Sequence, residues 1–225
     1  MSLDRRDRPD RPNGRIRAVI FDFDGTIADT PIYLVTIMNK LAERYGYKTV
    51  EPHEHEILRG MSARQVARHL NISFFKLPLL VRRFRQEVRR EIDALQPVRG
   101  MIALITRLRQ KGYNMAIVSS NTEENISRFL RNNYLDVFKY IHCDRRTARK
   151  DRALATFLRR HGIPSHDAVY IGDEHRDIVA CRKVGIPIIA VTWGFNSPSY
   201  LMQGDPDYIV TSPEELLSTV ERVAG

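Results

Sequence analysis

AVIFDFDGTIADT, residues 18–30, is an apolar run that ends on Asp22 and Asp24, with Asp29 a little further on. Aspartate is a poor strand residue, and carboxylates this close repel one another. Two acids at the end of a strand that reads as buried therefore need partners from elsewhere in the chain. Outward from this stretch, Ile16–Phe21 reads as the strand itself, and Pro31 opens a helical pattern through Ile32, Leu34, Val35, Ile37, Met38, Leu41 and Ala42 to Gly46. SARQVARHLNI from Ser62 predicts a helix with a serine N-cap. LPLLVRRFRQEVRREIDAL, 77–95, predicts a third, with Leu80, Phe84, Val88 and Ile92 on one stripe.

The pattern changes at Gly100. Helices are predicted over 101–112, 122–133, 151–162, 175–185 and 212–224, and strands over 113–120, 138–144, 167–173 and 186–193, with DYIV at 207–210 as a short edge strand. Repeated strand–helix units predict an α/β fold: a Rossmann-like, three-layer parallel sheet covered on both faces. The segment 31–98 carries no convincing strand and reads as a helical insertion between core segments 16–30 and 99–225.

Composition limits the function classes. The net charge of +9 lies in two places. Residues 1–17 carry six Arg against three Asp, and residues 31–99 carry thirteen Lys and Arg against seven acids. Residues 1–15 read as a disordered basic tail, and the arginine-rich run RRFRQEVRR as a solvated helix face. No aromatic-interleaved basic motif supports nucleic-acid binding. No stretch is apolar enough to span a bilayer or to act as a leader, and Cys143 and Cys181 lack metal-type spacing. A reduced, cytoplasmic protein with no membrane partner is expected. His53 and His55 in PHEHE read as a solvated loop, and Trp193 as core.

In a parallel sheet, ligands bind beyond the carboxyl ends of the strands. Those ends carry Asp22 and Asp24, then Ser119, Ser120 and Asn121, then Asp173 with Glu174 and Asp177. Lys150 stands at the start of the helix after the third strand. Converging carboxylates without a cation disfavour joint ionisation, and Mg²⁺, which takes oxygen ligands and shares sites with phosphate, resolves this. The lysine and a hydroxyl suit phosphate oxygens. One carboxylate can act as nucleophile and a second as acid and base.

The ordered set DFDGT at 22–26, Ser119 of IVSSN, Lys150, and GDEHRD with Asp173 and Asp177 resembles the haloacid dehalogenase (HAD) superfamily over nearly the whole chain. DFDGTIADT, PVRGM and VTWGF look most like its phosphoglycolate-phosphatase-like branch. The resemblance implies that 31–98 is a type-1 α-helical cap. It implies Asp22 as a nucleophile forming an aspartyl-phosphate and Asp24 as acid and base. Asp22, the Asp24 carbonyl, Asp173 and Asp177 would serve Mg²⁺; Ser119, Ser120 and Lys150 would hold phosphate. In the cap loop LRGMS and the helix after it, Arg59 or Arg64 could meet an anionic leaving group of a small phosphorylated metabolite. RKD at 149–151 departs from relatives that follow the lysine with proline. The expected activity is Mg²⁺-dependent hydrolysis of a small phosphate monoester such as phosphoglycolate. The alternatives are a sugar phosphomutase of the same mechanism and a phosphatase for nucleotide or nucleic-acid ends. A receiver domain, whose hydroxyl and lysine come last, is excluded by the acids that follow Lys150.

Overall fold

The computed structural model describes residues 16–144 and 149–224; the proposed 1–15 tail lies outside them. Among the described residues, six parallel strands form one sheet in the order β3-β2-β1-β4-β5-β6. They are β1 (Ala18–Phe21), β2 (Met115–Ser119), β3 (Tyr140–Cys143), β4 (Ala168–Gly172), β5 (Ile188–Val191) and β6 (Tyr208–Val210). The first strand in sequence is central: Val19 stands opposite Met115 of β2 and Val169 of β4. DYIV supplies an edge strand, as expected.

The period-two alternation of strand side chains sorts β1 into two layers. Val19 and Phe21 join the core with helices α5 (Met101–Gln110), α6 (Glu123–Asn132) and α10 (Pro213–Ala224). Ala18 and Ile20 face the other way, toward α7 (Lys150–His161), α8 (His175–Val184) and α9 (Pro198–Gln203). Both faces are covered, which is why the strands read as unbroken apolar runs.

Between β1 and β2 lies the helical cap. It contains α1 (Pro31–Tyr45), α2 (His55–Arg59), α3 (Ala63–His69) and α4 (Leu77–Arg90). Pro31 opens α1 and Gly46, at φ 68°, closes it. Ser62 caps α3 by accepting from the Gln65 N–H. The chain leaves and re-enters the core side by side: Asp29 N–H donates to Gln96 O and Val98 N–H to Ile27 O, each at 2.9 Å.

Three expectations need correction. The helix predicted over 77–95 ends at Arg90: the Glu91 N–H is shared between Glu87 O and Val88 O, and the chain runs on through a turn over 92–94. The stripe is thereby divided: Val88 packs on α1, whereas Ile92 and Leu95 join the core beneath the sheet. PHEHE is not a solvated loop: it forms a single 3₁₀ turn and the start of α2 around a buried Glu54. The first strand begins at Ala18 rather than Ile16.

Candidate active site

The stretch 18–30 resolves its two acids by alternation. Asp22 and Asp24 turn toward the carboxyl end of the sheet, while Phe23 between them is fully buried edge-on to Phe129, with ring centroids 5.0 Å apart. The backbone folds back at once, since Ile27 and Ala28 N–H both reach Phe23 O at 3.0 Å. Gly25 makes this turn at φ +75°; a Cβ there would lie 2.3 Å from Asp173 Oδ2. Asp22 Oδ1 accepts from Phe23 N–H at 2.7 Å, and its Oδ2 accepts from Lys150 Nζ at 2.5 Å. Asp24 accepts from Thr30 Oγ1 at 3.0 Å and from Asn121 Nδ2 at 3.0 and 3.3 Å. Burial first, then the charge of Asp22, pushes the Asp24 carboxyl up to about 6, against the pull of those hydrogen bonds.

Opposite stand Lys150, Asp173 and Asp177. Lys150 is the first residue of α7, and its side chain is only 8% exposed, although its sequence neighbours are basic. Burial works against its ammonium, but the charges of Asp177 and Asp22 outweigh that and hold its pKa above the ordinary lysine value. Asp173 Oδ1 accepts from Thr26 Oγ1 at 2.9 Å, and its Oδ2 from Phe195 N–H at 2.7 Å. Asp177 Oδ2 accepts from Glu174 N–H at 3.2 Å, so Glu174, not Asp173, is the N-cap of α8. Burial raises both acids, Asp173 well above its usual range and Asp177 to about 6.

One carboxylate oxygen from each of Asp22, Asp173 and Asp177 lies within 4.8 Å of the others. Lys150 Nζ is 3.3 Å from Asp177 Oδ1, yet that buried oxygen accepts no hydrogen bond among the described residues. One lysine does not neutralise three acids. An all-oxygen set with an unused buried acceptor fits a hard divalent cation such as Mg²⁺.

The remaining predicted residues fall into two groups. Ser119 is buried at the end of β2, its Oγ accepting from Asn121 N–H at 3.1 Å; Ser120 and Asn121 line the cleft beside Asp22 and Asp24. This cleft, about 820 Å³, runs from the two aspartates into the cap past Met38, Leu58 and Phe84. Arg59 also lines it, but its Nη1 is held by Glu56 and its Nη2 by Thr192 O at 2.7 Å. Arg64 is exposed on α3 and does not line the cleft. The sequence marks Thr26 within DFDGT and Trp193, read as core, within VTWGF, but assigns no partner to them, to Thr30 or to the rest of the loop 192–197; Trp193 is half-buried against the core. Thr26 and the loop act on Asp173, which only the fold brings near, and Thr30 reaches back six residues to Asp24.

The model of the haloacid dehalogenase-like hydrolase family matches residues 19–191. The chain belongs to that family. A phosphoglycolate phosphatase of Synechococcus elongatus is 34% identical to this HAD-like hydrolase over 209 residues, covering 92% of this chain and 99% of the relative. The pyrophosphatase PpaX of Bacillus mycoides is 23% identical over 94% of this chain and all of its own length. A haloacid dehalogenase-like family hydrolase of Streptococcus pneumoniae shares the fold with a TM-score of 0.75 at 24% identity, covering 91% of this chain and 98% of that one. Within the family, this HAD-like hydrolase falls in the phosphoglycolate-phosphatase-like branch, among phosphatases.

Proposed function

We propose that this HAD-like hydrolase is a Mg²⁺-dependent phosphatase that cleaves a small phosphate monoester through an aspartyl-phosphate on Asp22. The observation that carries this is the meeting of Asp22, bonded to the buried Lys150, with Asp24, whose carboxyl is pushed up, and with a second acid pair. Asp22 is paired with Lys150 and stands ready as a nucleophile, whereas Asp24, at about 6, can hold a proton near neutral pH. Asp22, Asp173 and Asp177, with the Asp24 carbonyl, would hold the metal. When bound, the ion would neutralise charge on the phosphoryl oxygens.

The residues then divide the work. An Asp22 oxygen forms a bond to phosphorus as the bond to the leaving oxygen breaks, and Asp24 gives that oxygen its proton. Asp24 next takes a proton from water, whose oxygen attacks the phosphorus and releases inorganic phosphate, restoring Asp22. Ser119 and Lys150 are donors for the phosphoryl oxygens. Phosphoglycolate is the first substrate to try, because the 34% identical relative bears that name along almost its whole length.

The test uses an aryl phosphate whose phenolate leaves without needing a proton. Asp22→Asn should abolish turnover. Asp24→Asn should release a stoichiometric burst of phenolate and then stall by about 10²–10⁴-fold, leaving phosphorylated protein that mass spectrometry detects. Steady turnover by Asp22→Asn at the wild-type rate would refute the assignment.

A further inference from the structure

Arg59 ties the cap to the loop that seats Asp173. Its Nη2 donates to Thr192 O at 2.7 Å and to Asn196 O at 3.4 Å. In return the Arg59 carbonyl accepts from Ser197 N–H at 2.9 Å and from Asn196 Nδ2 at 3.3 Å. The last residue of α2 is thus bonded both ways to residues 192–197. Its side chain is only 17% exposed, and its Nη1 is occupied by Glu56.

The same six residues build the seat of the acids. Phe195 N–H donates to Asp173 Oδ2 at 2.7 Å, and Asn196 N–H to Asp173 O at 3.4 Å. Asn196 Oδ1 accepts from His175 N–H at 2.8 Å, at the start of the helix that carries Asp177. Trp193 Nε1 donates to Thr26 O at 3.2 Å, and Thr26 Oγ1 holds Asp173 from the other side. There is no slack between loop and carboxylate: a Cβ on Gly194 would sit 2.2 Å from Asp173 Oδ2. A shift of this loop therefore displaces the Asp173 carboxylate.

We propose that Arg59 is a positioning residue for the acid cluster, coupling the place of the cap to the affinity of Asp22, Asp173 and Asp177 for a divalent cation. This rests on the reading of that cluster as the Mg²⁺ site. The guanidinium suits the task because its planar fork holds Glu56 on Nη1 while Nη2 meets the Thr192 and Asn196 carbonyls, a fixed two-sided geometry that a lysine ammonium on a flexible stem does not supply. Coupling of this kind is reciprocal: what draws α2 onto the loop tightens the metal site, and a bound metal holds α2 down.

The experiment measures Mg²⁺ binding to the full chain by calorimetry, independently of turnover, for wild type, Arg59→Ala, Arg59→Lys and Asp173→Asn. Arg59→Ala should weaken Mg²⁺ binding by about 5–30-fold, within the range usual for coupled sites, and Arg59→Lys by less. At saturating Mg²⁺ the KM for an aryl phosphate should stay within about twofold of wild type for both. Wild-type Mg²⁺ affinity in Arg59→Ala, or in Arg59→Lys where the alanine variant does not fold, overturns the coupling. A raised substrate KM with unchanged Mg²⁺ affinity also overturns it and makes Arg59 a substrate contact. Failure of the metal reading itself looks different: wild type and Asp173→Asn would then bind Mg²⁺ equally.

Discussion

At the scale of single residues, the pair at 22 and 24 is separated in character by its neighbours. Both are aspartates within one loop, yet Asp22 meets an ammonium and Asp24 meets an amide and a hydroxyl. Asn121 is oriented for this: its Oδ1 accepts from Thr122 N–H at 2.7 Å and Asn125 Nδ2 at 2.9 Å, which leaves Nδ2 for Asp24. Those bonds lower a pKa that burial and Asp22 raise. Asn121→Ala should therefore move the Asp24-governed limb of the pH–rate profile to higher pH. An unmoved limb would mean that Asn121 does not tune this acid. The aspartates themselves, Lys150 and Ser119 are legible in sequence, because strand ends and motif order expose them. Asn121 and Thr26 also stand in the sequence as a strand-end amide and as part of DFDGT, but their bonds to Asp24 and Asp173, and those of Thr30 and Arg59, do not, since a hydrogen-bond partner leaves no signature in residue identity.

Among the elements, the periodic helices, down to the seven-residue α3, and the apolar strands follow from the sequence, whereas the five-residue α2 and the six-residue α9 do not. α2 has five residues, too few for a helical period to show, and its place is set by the buried Glu54 before it. Glu54 accepts from Lys48 Nζ at 2.5 Å, from Glu51 N–H at 3.0 Å, and pairs with His69 Nε2 at 2.7 Å. The Lys48 bond foremost, then Glu51 and His69, holds its carboxyl down at about 2. Because this lies below the ordinary 4.5, the ionised group stabilises the cap above about pH 4.5 and loses that contribution as pH falls toward 2. Glu54→Gln should accordingly be less stable than wild type at pH 7, with the gap closing between pH 4.5 and 2. Denaturant unfolding at several pH values measures this, and a pH-independent gap would count against the clamp. α4 teaches the complementary lesson. Its four-residue spacing continues to Ile92, but spacing does not reveal that a turn has redirected the chain from cap to core.

For the whole molecule, the strand order places β1 at the centre, so groups far apart in sequence gather around its end. The alternation of helix and strand foretold the parallel sheet and its two covered faces. It did not foretell the 192–197 loop as a hub, because that depends on β5 lying beside β4. Since the acid cluster joins β1, β4 and α8, a bound cation should report on global stability. Mg²⁺ at 100 times its Kd should add about 2.7 kcal/mol, which is about 5–10 °C in Tm for a chain of this size. Scanning calorimetry with Mg²⁺ or with a chelator measures it, and Asp173→Asn should remove the rise. A Tm indifferent to Mg²⁺ in the wild type would contradict the site.

The side-by-side crossing at Asp29–Gln96 and Ile27–Val98 has a consequence for grafting. Both ends of the 31–90 helices leave the sheet through one seam, so that segment can be exchanged as a cassette without rethreading a strand. Such an exchange would change the lining of the cleft above Asp22 and Asp24 and leave the strands beneath them in place. What would be lost with that segment is Arg59, the residue that meets Thr192 and Asn196.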